Sequence, residues 1–132
     1  MLKTAKRLRR VPKGRREVQR LGRAVEAGEI VVALRPFGLS QAAIARATGT
    51  SDRSVRNWKR TSAIRESNAT RLWSLREIVL VLEKTLTPRG VGQWMRAPNR
   101  LLKGRAPLEV LADGGVAAVR EAADAYLYGA YV

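Results

Sequence analysis

Apolar residues recur along this chain three and four positions apart, which is the spacing of one face of an α-helix. The first such face begins near Arg15, continues past Gly28, and ends before Pro36, whose ring removes a backbone donor. The last runs from Val116 to Tyr128, and Gly129 is suited to end that helix in a left-handed conformation. No segment alternates apolar and polar residues for long enough to indicate a strand. The pattern therefore predicts an all-α fold.

Twenty residues, Gln41 to Arg60, have the spacing of a helix-turn-helix. Its marker residues fall four, four, six and three positions apart: Gln41, Ala45, Gly49, Val55 and Trp58. Gly49 suits the tight turn between the two helices, because glycine adopts positive φ without strain. Ser40 and Ser51 precede the two helices, where a serine oxygen accepts a bond from an otherwise unpaired amide. Ile44, Val55 and Trp58 are expected to form the apolar wedge between the helices.

The outer face of the second predicted helix carries side chains that read base edges and hold phosphates. The predicted DNA-binding residues are Gln41, Ser51, Asp52, Arg53, Ser54, Arg56, Asn57, Lys59 and Arg60. We expect Arg53, Arg56 and Asn57 to approach bases in a major groove, and Lys59 and Arg60 to contact phosphates. The alternative is an amphipathic helical hairpin whose outer face is only solvated. The two caps, the turn glycine and four basic residues against one acidic residue favour binding to double-stranded operator DNA.

Charge agrees with a nucleic-acid partner and divides the chain. The formal net charge is +15, from 26 basic and 11 acidic residues. Residues 1–20 carry net +8, residues 21–66 carry +4 and residues 67–132 carry +3, so the basic excess lies beside the helix-turn-helix. We therefore divide the chain into a basic N-terminal arm (1–20), a helix-turn-helix domain (21–66) and a helical C-terminal domain (67–132). The arm either contacts phosphates or is a solvated tail.

Enzymatic and metal functions are disfavoured by composition. The chain has no cysteine and no histidine, so it lacks disulfides, the usual zinc ligands and most pairs of nucleophile and base. No glycine-rich phosphate loop is present either. We predict no catalytic residue, no metal site and no cofactor. No apolar run approaches the roughly 20 residues that span a bilayer, so no membrane association is predicted. The absence of cysteine fits a reducing compartment, and we expect the cytoplasm.

A long helix is predicted after the polar segment 61–68. Its apolar seam, with spacings of three and four, consists of Leu72, Leu75, Val79, Leu82 and Leu86. Trp73, Ile78 and Leu80 widen the apolar surface, which leaves two interpretations open. The seam is either intramolecular core or the interface of a homodimer, and we assign these five residues to a dimer interface. Symmetric pairing would also supply the second half-site contact that one small module lacks.

After the long helix, the chain shows clear signals of another helix start and continues into a segment of turns. Thr87 and Pro88 are typical of a helix start, with threonine as the cap and proline in the first turn. Four leucines in the segment of turns that follows are expected to point inward: Leu101, Leu102, Leu108 and Leu111. The C-terminal half is therefore predicted to be a small helical module that ends in a short apolar tail.

The run W-M-x-x-P-N-R-L-L, from Trp94 to Leu102, resembles the toxin-binding domain of the Xre/MbcA/ParS antitoxins, and its mycobacterial members in particular. Further matching positions are Pro107, Leu111, Asp113, Gly114, Gly129 and Val132. The resemblance covers roughly residues 39–132, because that family also places a helix-turn-helix first. The basic arm has no counterpart in it. The implied architecture is an N-terminal helix-turn-helix module followed by a small helical toxin-binding module.

The resemblance implies an antitoxin whose partner is a RES-domain toxin, an enzyme that consumes NAD⁺, and which represses the shared operon. The toxin-binding residues that it implies are Trp94, Met95, Pro98, Asn99, Arg100, Leu101, Gly129, Tyr131 and Val132. We expect the apolar tail and its carboxylate to enter the cationic mouth of the toxin. Alternatively, Tyr131 and Val132 pack on the last helix. A second possible function is an Xre-like repressor that acts only as a homodimer, without a toxin.

Overall fold

A computed structural model of the chain describes residues 13–61 and 63–129. In these ranges it contains eight α-helices and two short 3₁₀-helices, and its extended pairing is limited to one isolated bridge between Asn99 and Arg105. The helices are α1 (Lys13–Arg23), α2 (Ala27–Leu34), α3 (Gln41–Thr48), α4 (Asp52–Arg60), α5 (Glu66–Leu82), α6 (Pro88–Arg96), α7 (Pro107–Ala112) and α8 (Val116–Tyr128). The 3₁₀-helices are Arg35–Phe37 and Arg100–Leu102. The predicted all-α fold is confirmed. None of the described helices is both long and apolar enough to cross a membrane.

The predicted first helix is split in two between Arg23 and Ala27. The Glu29 carboxylate accepts bonds from the backbone amides of Val25 and Glu26, at 3.2 and 3.0 Å. These two bonds lower the pKa of Glu29, the bond from Glu26 contributing most. They also satisfy amides at the start of α2, where the helix has no internal acceptor. We predicted a single helix because the apolar face continues across this break. That prediction was wrong, since two helices are present.

Helices α3 and α4 form a pair around the predicted turn. The Ser40 hydroxyl accepts a bond from the amide of Ala43, and the Ser51 hydroxyl accepts one from the amide of Ser54, both at 3.2 Å. Gly49 has φ of 72°, in the left-handed region, and ends α3. The three wedge residues are buried: Ile44, Val55 and Trp58. Both predicted caps and the turn glycine are therefore confirmed.

Helix α5 lies at the centre of the molecule and packs against α1, α2, α3 and α8. Four residues of the predicted seam are at most 1% exposed within the single chain: Leu72, Leu75, Val79 and Leu82. The helix ends at Leu82, and Leu86 follows it, half-buried against the same core. The assignment of Leu72, Leu75, Val79 and Leu82 to a dimer interface was wrong, because the chain covers them with its own helices. The assignment of Leu86 stays a prediction.

Three arginines join the C-terminal half of the chain to the N-terminal half. Each donates to a backbone carbonyl at or just after the end of a helix, where carbonyls lack helical partners. The bonds run from Arg71 to Ala47 (3.1 Å), from Arg76 to Gly22 (2.8 Å) and from Arg96 to Gly38. Arg71 also donates to the carbonyl of Leu111 in α7. One buried apolar cluster is continuous across residue 66, so both halves share a core.

Helix α6 starts as predicted and then passes very close to the first 3₁₀-helix. The Thr87 hydroxyl accepts a bond from the amide of Gly90 at 3.1 Å, and Pro88 occupies the first turn. A Cβ atom at Gly92 would lie 2.7 Å from the carbonyl oxygen of Phe37. The missing side chain is therefore what lets α6 approach the segment that leads into α3.

We expect Gly92→Ala to destabilise the protein by about 1–3 kcal/mol, because the added methyl group overlaps backbone that cannot rotate away. Gly22→Ala is the matched control, since a Cβ there has no atom within 4 Å. That substitution should stabilise by about 0.4–1 kcal/mol by restricting the unfolded chain. Urea denaturation of the two variants measures both changes. Equal stability of the two variants would show that the 3₁₀-helix moves freely away from α6.

Candidate functional site

The outward side of α4 is a basic and amide-bearing surface. Val55 and Trp58 are buried on the inner side of this helix, and about 100° of rotation per residue places four exposed residues opposite them. These four residues, the reading face, are Arg53, Arg56, Asn57 and Arg60. Their guanidinium and amide groups are the donors and acceptors that suit base edges and phosphates. The structure thus presents on one helix face four of the nine residues predicted to contact DNA, including all three that are expected to approach bases.

Other predicted DNA-binding residues lie beside the reading face. Lys59 donates from Nζ to Oε1 of Gln41 at 2.9 Å, which places both at the edge where α3 begins and α4 ends. The Ser51 hydroxyl also donates to the hydroxyl of Ser54 at 3.2 Å, so these two serines serve the cap of α4. Asp52 is exposed in the first turn of α4, where a negative charge favours the helix dipole. Contact of these five residues with DNA remains a prediction.

A second surface forms where α6, the 3₁₀-helix Arg100–Leu102 and α8 meet. The rings of Trp94 and Tyr126 lie edge to face, with centroids 6.5 Å apart and an interplanar angle of 65°. The 3₁₀-helix contacts α8 directly. Pro98, Arg100 and Leu101 are exposed on the connecting segment. We call this the α6–α8 surface, and it brings together most of the residues that the family resemblance assigns to toxin binding.

Three assignments on this surface need correction or refinement. Met95 is fully buried, so it supports the surface from within the core and is not available to a partner. Leu101 was expected to point inward but is 47% exposed, whereas the other three leucines of that prediction are buried. Asn99 accepts a bond from the amide of Leu101 at 2.9 Å and so caps the 3₁₀-helix. Its side chain is therefore engaged in holding Leu101 at the surface.

The end of α8 lies on this surface. Gly129 has φ of 67° and ends the helix, as predicted. Tyr131 and Val132 lie outside the described residues, so their role stays a prediction. Tyr126, whose ring contacts Trp94, was not assigned to the site from the sequence. Tyr128 is 80% exposed, but it lies about 200° around α8 from Tyr126 and so points away from that ring pair.

Among the described residues, no group of three or more acidic side chains is placed to hold a metal ion. The carboxylates of the C-terminal half that form ion pairs do so at the surface, as in the pair of Arg105 and Asp113 at 2.6 Å. Neither surface brings together a nucleophile and a base. Both have the chemistry of binding surfaces, with aromatic, arginine and amide side chains exposed.

Comparison with known proteins relates both halves of the chain to antitoxins. A family model described as the antitoxin Xre/MbcA/ParS C-terminal toxin-binding domain matches residues 85–129. The chain is 53% identical over 112 residues to "Probable mycobacterial cidal antitoxin Rv3188" of Mycobacterium tuberculosis strain H37Rv. That alignment covers 85% of this chain and 96% of the relative, so it extends well beyond the C-terminal domain.

More distant relatives agree. The mycobacterial cidal antitoxin MbcA of M. tuberculosis strain H37Rv is 29% identical over 113 residues, which cover 85% of this chain and 100% of MbcA. In the crystal structure of the M. tuberculosis MbcT-MbcA toxin-antitoxin complex, one chain superposes with a TM-score of 0.68 and 27% identity. The superposition covers 83% of this chain and 100% of that one. The chain therefore belongs to the Xre/MbcA/ParS family of antitoxins and is not an enzyme.

Proposed function

We propose that this antitoxin binds and inhibits a RES-domain toxin that degrades NAD⁺, and represses its own operon by binding operator DNA. The toxin is covered by the α6–α8 surface and the residues that follow Gly129, and the operator is read by α4. Both events take place in the bacterial cytoplasm, where the operator lies. The division into a basic arm, a helix-turn-helix domain and a toxin-binding domain is part of this proposal.

The α6–α8 surface is the observation that supports the proposed toxin binding. It exposes Leu101 and Arg100 beside the Trp94–Tyr126 pair, and aromatic and arginine side chains contribute most to protein interfaces. The solved relative with the same fold is one half of the MbcT-MbcA toxin-antitoxin complex, which supports a toxin as the occupant. That the toxin has a RES domain and degrades NAD⁺ is implied by the resemblance of the segment Trp94–Leu102 to the Xre/MbcA/ParS antitoxins.

The DNA half rests on the geometry of α3 and α4. All four residues of the reading face are exposed, and the cap Ser51 satisfies an amide at the start of α4, where the helix leaves the turn. Base recognition by helix-turn-helix proteins uses residues near the start of the second helix, where Arg53, Arg56 and Asn57 lie. Lys59 and Arg60 lie in the last turn of this helix, and we expect them to contact phosphates of the same duplex.

We further propose that operator binding requires a homodimer on an inverted repeat, because one module contacts few bases. Its interface lies outside the buried seam of α5. Trp73 is the exposed aromatic residue of that helix, with 38% of its surface accessible and the Arg76 guanidinium 4.7 Å from its ring centroid. Light scattering of the purified antitoxin tests the dimer, and a monomer at micromolar concentration contradicts it.

The proposal as a whole is tested by co-expression with the RES-domain protein of the same operon. Stable co-purification, loss of NAD⁺ turnover in the complex and specific retention of the promoter fragment are the expected results. Operator binding by a homodimer that neither binds nor inhibits the toxin would instead identify an Xre-like repressor. Inhibition of the toxin without any preference for the promoter fragment would contradict the proposed repression of the operon.

Arg56→Ala should weaken operator binding by about 1–3 kcal/mol while changing binding to random DNA much less, because a base contact is lost. Fluorescence anisotropy with the operator and with a shuffled duplex measures both affinities. Arg120→Ala is the control, since it removes the same kind of side chain from an exposed position of α8, far from α4 in sequence. Equal losses on both duplexes would make Arg56 a phosphate contact only.

A further inference from the structure

An open cleft of about 750 Å³ lies between α1, the start of α2 and the end of α4. Five cationic side chains line it: Arg16, Arg20 and Arg23 from α1, and Lys59 and Arg60 from α4. The three α1 residues are four and three positions apart, so they share one helical face, and all three are exposed. The buried residue Leu21 anchors the opposite face of α1 in the core.

The floor of the cleft depends on close packing of α2 against α4. A Cβ atom at Gly28 would lie 2.9 Å from the carbonyl oxygen of Trp58 and 3.0 Å from Cα of Lys59. The absence of that side chain brings the last turn of α4 against α2, which positions Lys59 and Arg60 opposite α1. The cleft is thus formed by core packing of three helices, and its two basic walls are held facing each other.

The charge balance of the cleft favours an anion. Two carboxylates also line it, Glu26 and Glu29, against the five cations. The Glu29 carboxylate is occupied by two backbone amides at the start of α2, so its charge is already partly compensated. Small-molecule pockets are mostly enclosed and apolar, whereas this cleft is open and lined by long basic side chains. An extended polyanion matches that shape better than a compact ligand.

We infer that the cleft holds one phosphodiester backbone of the operator, and that α1 is a second DNA-binding element beside the reading face. The inference rests on the proposed DNA binding and deepens it. We assign the cleft to DNA because it is continuous with the reading face: Arg60 belongs to both the reading face and the cleft wall. A strand that leaves the groove read by α4 therefore passes directly between α4 and α1. The contacts of α1 are to phosphates and carry no base specificity.

The test is the salt dependence of binding by a triple variant, Arg16→Gln, Arg20→Gln and Arg23→Gln. Each lost phosphate contact should reduce the slope of log K against log salt by about 0.9, giving about 2.7 for three contacts. The loss should be equal on operator and shuffled DNA. The matched control is Lys84→Gln, Arg89→Gln and Arg120→Gln, three exposed residues of the C-terminal half with the same total change of charge. Circular dichroism checks that both variants retain their helices.

A substitution that removes a negative charge from the cleft distinguishes the loss of phosphate contacts from misfolding, because it should strengthen DNA binding. Glu26→Gln removes a carboxylate from the cleft and should tighten binding to both duplexes at low salt, whereas Glu121→Gln on α8 should not.

If the cleft triple variant and the control triple variant have the same salt slope while Arg56→Ala still weakens operator binding, the cleft inference fails and the proposed function stands. If the unmodified protein does not prefer its operator, the proposed function fails first. Saturable binding of inorganic pyrophosphate, lost in the triple variant without a change of DNA slope, would overturn the inference in favour of a small phosphate ligand.

Discussion

Truncation after Gly129 is expected to reduce inhibition of the toxin's NAD⁺ turnover by roughly 30-fold or more, because interface residues of the most important class contribute about 2 kcal/mol or more. Helix α8 ends on the α6–α8 surface, next to the Trp94–Tyr126 pair. The three residues that the truncation removes, 130–132, include Tyr131 and Val132, which the family resemblance assigns to toxin binding. Titration of the partner enzyme with the truncated antitoxin measures the loss directly.

Operator binding by the same truncated protein is the internal control, because α4 lies in the other half of the chain and should be unaffected. Replacement of residues 130–132 by three serines keeps the length and removes the apolar groups. A loss of inhibition equal to that of the truncation assigns the effect to those side chains. Full inhibition by the truncated protein would mean that the α6–α8 surface itself covers the toxin.

Val79→Glu should unfold the protein or destabilise it by at least about 3 kcal/mol, since it places an unpaired carboxylate in a core where Val79 has no exposed surface. Globular domains are stable by only about 5–15 kcal/mol, so the loss is a large part of the total. Urea denaturation followed by circular dichroism measures it. Light scattering should show aggregated or expanded protein, because the seam packs within the chain.

Thr70→Glu is the matched control, because it introduces the same side chain on the exposed side of the same helix. Its effect on stability should be within about 0.5 kcal/mol. If the Val79→Glu variant is a folded monomer and the unmodified protein is a dimer, the seam of α5 does not pack within the chain. Its residues would then form the dimer interface.

The local features of the fold were predictable because their causes are local. The caps Ser40, Ser51 and Thr87 each satisfy an amide three residues later, so sequence alone places the helix starts. Gly49 and Gly129 end helices in left-handed conformations that other residues rarely adopt. The range of α8 was also predicted correctly, since one apolar period continues from Val116 to Tyr128.

What packs against each apolar face was not predictable from spacing. The seam of α5 has the same period whether a second chain or α8 covers it, and only the folded arrangement decides. Leu101 and Leu102 are adjacent and equally apolar, yet one is exposed and the other buried, because successive residues of a 3₁₀-helix point about 120° apart. Met95 lies within a motif that resembles a binding segment, although its side chain is core.

The candidate site shows the same limit. The reading face could be predicted, because the helix-turn-helix period fixes which residues of α4 point outward. The basic cleft could not, since Arg16 and Arg60 are 44 positions apart and meet only through the packing of α1, α2 and α4. The contribution of Tyr126 to the α6–α8 surface was missed for the same reason, because its ring partner Trp94 lies on another helix.

The arginine bonds from α5 and α6 to carbonyls of the N-terminal half limit how this antitoxin can be recombined. A chimera that joins its DNA-reading helices to the C-terminal half of another antitoxin must supply guanidinium groups equivalent to Arg71, Arg76 and Arg96. Without them, carbonyls at three helix ends lose their donors, and the shared core loses the contacts that align its halves. The proposed operator specificity and the proposed toxin specificity of this protein would therefore be inherited together, even though they are assigned to different surfaces.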